Sequence, residues 1–179
     1  MKADAAMLER AIIYATEKHK GVKRKGDGKP YIVHPIEVML ILFNLKDSNN
    51  KYLIAVVAIL HDVVEDCGVS LADIAELFGH NVTSLVGELT TDKAKCDTMG
   101  KTAYLCMRVL EISSYGLRIK LADRLHNCSD LSKMSWVFRE NYIKQTNEII
   151  KTLETKRRLT ASHKKLIRMI KAKIKKAAK

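Results

Sequence analysis

Leu53-Ile54-Ala55-Val56-Val57-Ala58-Ile59-Leu60 runs straight into His61-Asp62-Val63-Val64-Glu65-Asp66. Eight apolar residues without a polar interruption must sit inside the fold, and the stretch is predicted to form one helix from about Lys51 to Glu65. On such a helix His61 and Glu65 lie one turn apart, as do Asp62 and Asp66, so four polar groups share a patch at the end of a buried segment. Burying carboxylates is costly unless positive charge meets them. A divalent cation suits that patch.

The helical reading extends outward over the chain. Two prolines and eight glycines in 179 residues, with recurrent i, i+3, i+4 apolar spacing, indicate an all-α protein, a helical bundle of about eight to ten helices. Helices are expected from about Ala3 to Lys20, Pro35 to Phe43, Lys51 to Glu65, Ser70 to Phe78, Asn81 to Leu89, Lys101 to Ser113, Ser114 to Cys128, Ser135 to Leu153 and Thr160 to Lys176. Turn signals separate them at Gly26-Asp27-Gly28-Lys29-Pro30, Gly68-Val69-Ser70 and Thr90-Thr91-Asp92-Lys93. Ser70 followed by Asp73 resembles a capping box in which Asp replaces the usual Glu or Gln.

A chain of this length buries roughly two-thirds of the surface its unfolded form exposes, enough for one domain without staples. Residues 1–155 are expected to form that domain, with 156–179 a basic amphipathic helix packed on it. Cys67, Cys96, Cys106 and Cys128 show no CxxC spacing, which reads as reduced thiols in a cytoplasmic protein. The longest apolar run is too short to span a bilayer.

The formal charge of +12 is concentrated at one end. Residues 151–179 hold 12 Lys/Arg against Glu154 alone, or +11, while the 20 basic and 19 acidic residues before them leave +1. In the tail Leu159, Leu166, Ile167, Ile170 and Ile174 recur at helical spacing among the lysines. This pattern fits a last helix with its lysines in water. It also suits an anionic polymer, a membrane surface or an acidic partner.

Two further positions complement His61 and Asp62. His34 stands in Tyr31-Ile32-Val33-His34-Pro35 at the mouth of a helix, and Asp123 in Lys120-Leu121-Ala122-Asp123-Arg124-Leu125-His126-Asn127. Two imidazoles and two carboxylates leave room for water on a six-coordinate ion, which suits manganese, iron or magnesium better than a closed structural zinc. A cation so held favours phosphoester or pyrophosphate hydrolysis. Taken singly, His34 reads as a cap or a packed core histidine, and Asp123 beside Arg124 as an ordinary ion pair. Three separate segments each delivering a His or Asp beside an apolar stretch argue for the shared ion.

With these motifs the sequence resembles the HD superfamily of metal-dependent phosphohydrolases, and within it the RelA/SpoT-type hydrolase domain and the single-domain small alarmone hydrolases of the metazoan SpoT-homologue kind. The similarity runs from about Ala11 to Leu131 in four blocks. They are Ala15 to His19 with Gly21; Arg24-Lys25 through Gly28, Pro30-Tyr31-Ile32 and His34-Pro35; His61 to Asp66; and Lys120 to Asn127. A bare HD pair is weak, whereas HDxxED followed by KLADRLHN in this order is specific.

That resemblance implies an HD-domain helical bundle and manganese-dependent removal of the 3′-pyrophosphate from guanosine tetra- or pentaphosphate, the alarmones of the stringent response, giving GDP or GTP and pyrophosphate. It implies His34, His61, Asp62 and Asp123 as metal ligands, and Glu65 and Asp66 as the acidic pair that works on the attacking water and the leaving group. It places Arg24 and Lys25 in the nucleotide pocket, a guanidinium for the base and an ammonium for phosphate, and Asn127 on the ribose.

The chain departs from the family pattern in two places. The loop from Lys25 to Pro30 is one residue longer than in the common bifunctional members, and Ser129 stands where many carry Arg. Both bear on nucleotide preference rather than on the ion site. They keep open a phosphatase for another phosphorylated nucleotide such as NADPH. A third reading makes the chain a basic binding protein that uses its C-terminal helix to reach nucleic acid or a ribosome, with a vestigial HD site. Oligomeric state is not written in the sequence.

Overall fold

The computed structural model describes residues 3–45 and 50–178. Among the described residues it is all-α: nine helices of eight residues or more lie where the sequence places helices, and the only extended pairing is an isolated bridge between Lys23 and Pro30. The helices gather into two units, Met1–Thr90 and Thr91–Lys179.

In the first unit α1 (Ala5–Lys18), α2 (Val33–Phe43), α3 (Lys51–Leu60), α4 (Val63–Asp66), α5 (Leu71–Phe78) and α6 (His80–Leu89) follow one another. Ile54 through Leu60 are all buried. A helix apolar on every side needs neighbours on every side, and α3 has them in α1, α2 and α6. Val56, Val57 and Ile59 each lower helix propensity by less than about 0.7 kcal/mol. Burying one such side chain returns roughly 1.5–3 kcal/mol, so packing decides the conformation.

The expected helix from Lys51 to Glu65 is interrupted. α3 ends at Leu60, His61 and Asp62 form a turn, and α4 begins at Val63. Both turn residues keep right-handed backbone angles, so the chain continues forward while the hydrogen-bond ladder breaks. The His61 ring supplies the reason: its Nδ1 lies 2.7 Å from the carbonyl oxygen of Ala58, the acceptor a continuing helix would offer to the amide of Asp62. The ladder resumes with Asp66 N–H donating to the Asp62 carbonyl at 2.9 Å. Gly68, at φ +67°, then turns the chain in a conformation that disfavours L side chains, and Ser70 and Asp73 form the expected reciprocal capping box.

In the second unit α7 (Lys93–Met99), α8 (Lys101–Glu111), α9 (Ser114–Ser129), a short 3-10 turn (Leu131–Lys133), α10 (Trp136–Lys156) and α11 (Ala161–Ala177) follow. α9 packs most extensively against α11, and α10 against α8. α11 buries Leu166, Ile167, Ile170 and Ile174. α7 is not among the expected helices, and only its first residue, Lys93, falls in the expected turn. It forms because Asp92, read as part of that turn, caps it by accepting from the Lys95 amide at 3.1 Å. No helix among the described residues is long and apolar enough to cross a membrane.

Candidate metal centre

His34 sits in the first turn of α2, where Pro35 is tolerated because an early helical N–H has no partner in the helix to lose. Its ring is buried, as is that of His61, and the two centroids are 5.3 Å apart. Asp62 joins them. Its Oδ2 lies 3.0 Å from His61 Nε2, 3.6 Å from His34 Nε2, and accepts the Tyr31 hydroxyl at 2.7 Å.

The tautomer of His61 follows from its other nitrogen. A carbonyl oxygen only accepts, so Nδ1, 2.7 Å from Ala58, carries the proton and donates it. In the neutral ring Nε2 then offers a lone pair. The 3.0 Å approach of Nε2 to Asp62 Oδ2 is within ion-pair range but lacks hydrogen-bond alignment. A histidine whose far nitrogen is fixed by a backbone carbonyl is the usual form of a metal-ligating imidazole. His34, His61 and Asp62 therefore fit a divalent cation by donor type, tautomer and separation.

Tyr31, His19 and Cys67 support this cluster, and sequence reasoning gave none of them a role. The rings of His19 and Tyr31 lie 4.6 Å apart, and Cys67 Sγ is 3.2 Å from His19 Nδ1. Burial lowers the pKa of His19 against the raising influence of Asp62 and Asp66. Burial raises that of the Cys67 thiol, with Asp66 and Asp62 adding to it. Both directions favour a protonated thiol donating to a neutral imidazole. His19 and Tyr31 do lie within the motif blocks, so the signal was in the sequence without its meaning.

Glu65 is half-buried on α4, and Asp66 is more open to solvent. Desolvation and then the Asp62 carboxylate push the Asp66 pKa up, with Glu65 adding to the rise, while the Tyr31 hydroxyl and His19 pull it down. The hydroxyl has a single proton, and the 2.7 Å contact commits it to Asp62. What survives is a rise, from desolvation first and from the neighbouring Asp62 and Glu65 carboxylates after it.

Arg24 and Lys25 occupy the loop closed by the bridge between Lys23 and Pro30, in which Arg24 N–H donates to Lys29 O at 2.8 Å. The Arg24 guanidinium lies 5.9 Å from the Tyr31 ring centroid. Lys25 is exposed.

Asp123 and Asn127 belong to the second unit, one turn apart on α9. Asn127 Nδ2 donates to Asp123 Oδ1 at 2.6 Å, and Lys120 Nζ lies 3.8 Å from Oδ2. The ion pair of Asp123 with Arg124 considered from the sequence is absent. Arg124 is buried and instead donates to Gln145 and Thr146, with its guanidinium 4.7 Å from the Tyr142 ring. Asn127 and Lys120, both on α9, thus each reach one oxygen of Asp123.

The HD domain model matches residues 11–100, half of the chain. The chain belongs to the HD domain family. As an HD domain it is 34% identical over 178 residues to the guanosine-3′,5′-bis(diphosphate) 3′-pyrophosphohydrolase MESH1 of Homo sapiens, covering 94% of this chain and 97% of that one. It is 33% identical to the protein of the same name from Xenopus tropicalis, over 86% of this chain and 88% of that one. It is also 39% identical over 135 residues to the GTP pyrophosphokinase rsh of Brucella melitensis, across 72% of this chain. The match spans only 17% of that much longer enzyme. Among solved structures, a metazoan ortholog of SpoT described as hydrolysing ppGpp superposes with a TM-score of 0.82 at 27% identity, covering 98% of both chains. HD domains hold a divalent metal, which agrees with the donor set of His34, His61 and Asp62.

Proposed function

We propose that the two units work together as one HD-type hydrolase that removes the 3′-pyrophosphate of guanosine tetra- or pentaphosphate, with manganese as the ion and the cytoplasm as the setting. The observation that carries this reading is the convergence of His34, His61 and Tyr31 on one oxygen of Asp62. Its support from relatives is the near full-length similarity to two proteins named for that reaction.

Asp123 is proposed as the fourth ligand. Its carboxylate adds negative charge to two imidazoles and Asp62, giving the mixed nitrogen and oxygen set that manganese accepts. A bound ion would supply positive charge to a phosphate oxygen and acidity to water. The chain's own residues do the rest. Asn127 holds Asp123 in place as well as facing the ribose. Glu65 orients and deprotonates the attacking water.

Release of pyrophosphate requires breaking the bond between the ribose 3′ oxygen and the adjacent phosphorus. Water supplies the new oxygen on phosphorus, and the departing 3′ oxygen takes up a proton. Asp66, beside Glu65, is placed to hand it over. Arg24, already beside an aromatic ring, stacks on the guanine base, and Lys25 meets phosphate.

The test is incubation of the purified protein with manganese and guanosine tetraphosphate. One pyrophosphate per GDP is the expected product. Orthophosphate alone, or no product, refutes the substrate assignment. Including NADPH among the substrates tests the alternative that Ser129 keeps open: its hydroxyl donates to Leu125 O at 3.1 Å and provides no cation at that position.

A further inference from the structure

The positive charge of residues 151–179 takes no part in the proposed reaction. In the second unit α11 turns its apolar residues inward and its lysines outward. Where the end of α10 meets α11 there is an open groove of about 850 Å³, whose charged lining is Glu154, Arg157, Arg158, Lys164 and Arg168. Two of these are spent internally. Arg157 donates to the carbonyls of Val109 and Ile112, and Glu154 accepts from Lys171 at 2.8 Å.

Arg158, Lys164 and Arg168 are exposed and form no ion pair among the described residues. Lys164 and Arg168 stand at i, i+4, a like-charge spacing that weakens a helix. The groove also includes Ala161, at the positive end of a 17-residue helix whose first turn carries no acidic residue. Three cations and a helix end thus face one groove whose single carboxylate, Glu154, is already held by Lys171.

We propose that this groove binds the phosphodiester backbone of a nucleic acid, with Arg158, Lys164 and Arg168 each meeting phosphate. A lipid surface fits less well. An interfacial helix buries its apolar face in lipid, but Leu166, Ile167, Ile170 and Ile174 are already buried in the protein. An acidic protein partner would need apolar anchors at the centre of its contact. Among the exposed large hydrophobics α11 offers only Met169. What remains is dense charge with two guanidinium forks, the chemistry that matches phosphate. The inference is independent of the hydrolase reading.

Fluorescence anisotropy with labelled oligouridylate and its deoxy counterpart tests it on the full chain. Three phosphate contacts on a single strand should weaken binding about 20-fold between roughly 50 and 200 mM salt. R158Q/K164Q/R168Q should lose that salt-sensitive affinity while keeping its melting temperature and hydrolytic rate. K93Q/K95Q/K101Q, the same change in charge elsewhere in the unit, should bind like the unaltered protein. The single K164Q should lower the slope of log K against log salt by about 0.7. No binding at low salt, equal loss in both triple variants, or tighter binding to phosphatidylserine vesicles than to oligonucleotide overturns the proposal.

Discussion

Tyr31 donates its hydroxyl hydrogen to Asp62 Oδ2 across 2.7 Å, and that same oxygen is the one nearest to His34 Nε2 and His61 Nε2. A hydrogen bond to one carboxylate oxygen fixes the rotamer of the whole group, and with it the direction in which the acid meets an ion. Supporting contacts of this kind commonly affect metal affinity or activity by about 10- to 100-fold. Tyr31→Phe is therefore expected to fold normally and bind manganese about 10- to 100-fold more weakly, as read by titration with the metal. Unchanged affinity would show that Asp62 is oriented by other contacts.

In the proposed reaction Glu65 and Asp66 act on water and leaving group rather than on the ion. Glu65→Ala should keep the ion and lose roughly 10²- to 10⁴-fold in kcat, the range for removing a general base. Metal analysis alongside the kinetics checks this. Loss of the ion in proportion to activity would make Glu65 a ligand instead.

Arg24 should act on substrate rather than on chemistry. Arg24→Ala is expected to raise KM with little change in kcat, and Arg24→Lys to restore it poorly, because an ammonium lacks the planar stacking face. A fall in kcat with KM unchanged contradicts that role.

Cys128 on α9 provides a test of packing in the second unit. Burial raises its thiol pKa from 9.0 to about 11, against the lowering influence of Arg124. In the unfolded chain the thiol ionises near 9, while the folded chain holds its proton to about 11. Stability from this group is therefore full below pH 9 and is lost as pH rises through that window, by about 2–3 kcal/mol at 1.36 kcal/mol per pKa unit. Chemical unfolding of the unaltered protein and of Cys128→Ala across the range should show the difference narrowing by that amount. Parallel curves would mean the thiol is not buried in solution.

The sequence reveals the helices whose apolar faces are buried and obscures those that lack one. α3 could be read directly because Ile54 to Leu60 have no other place to go. α7 has no buried residue, so apolar spacing could not mark it, and only the capping oxygen of Asp92 announced it. The break at His61 escaped the reading for a related reason. Spacing treats His61 as a polar residue on a helix face, whereas its ring competes for a backbone carbonyl. Asp62 and His34 were recognisable as ligand types, but the partners that orient them were not. Tyr31 lies 31 residues from Asp62, and no local pattern relates the two. Likewise Arg124 looked like a partner for Asp123 by adjacency, but neighbours on a helix point apart, and its guanidinium goes to α10 instead.

The central claim is that one ion is held by His34, His61 and Asp62 together with Asp123. Manganese bound per chain, measured at a fixed free metal concentration by elemental analysis of the unaltered protein and of Asp123→Ala, tests it most directly. One ion per chain in the first, with loss of the ion in the folded variant, is the expected result. Equal occupancy in both would contradict it.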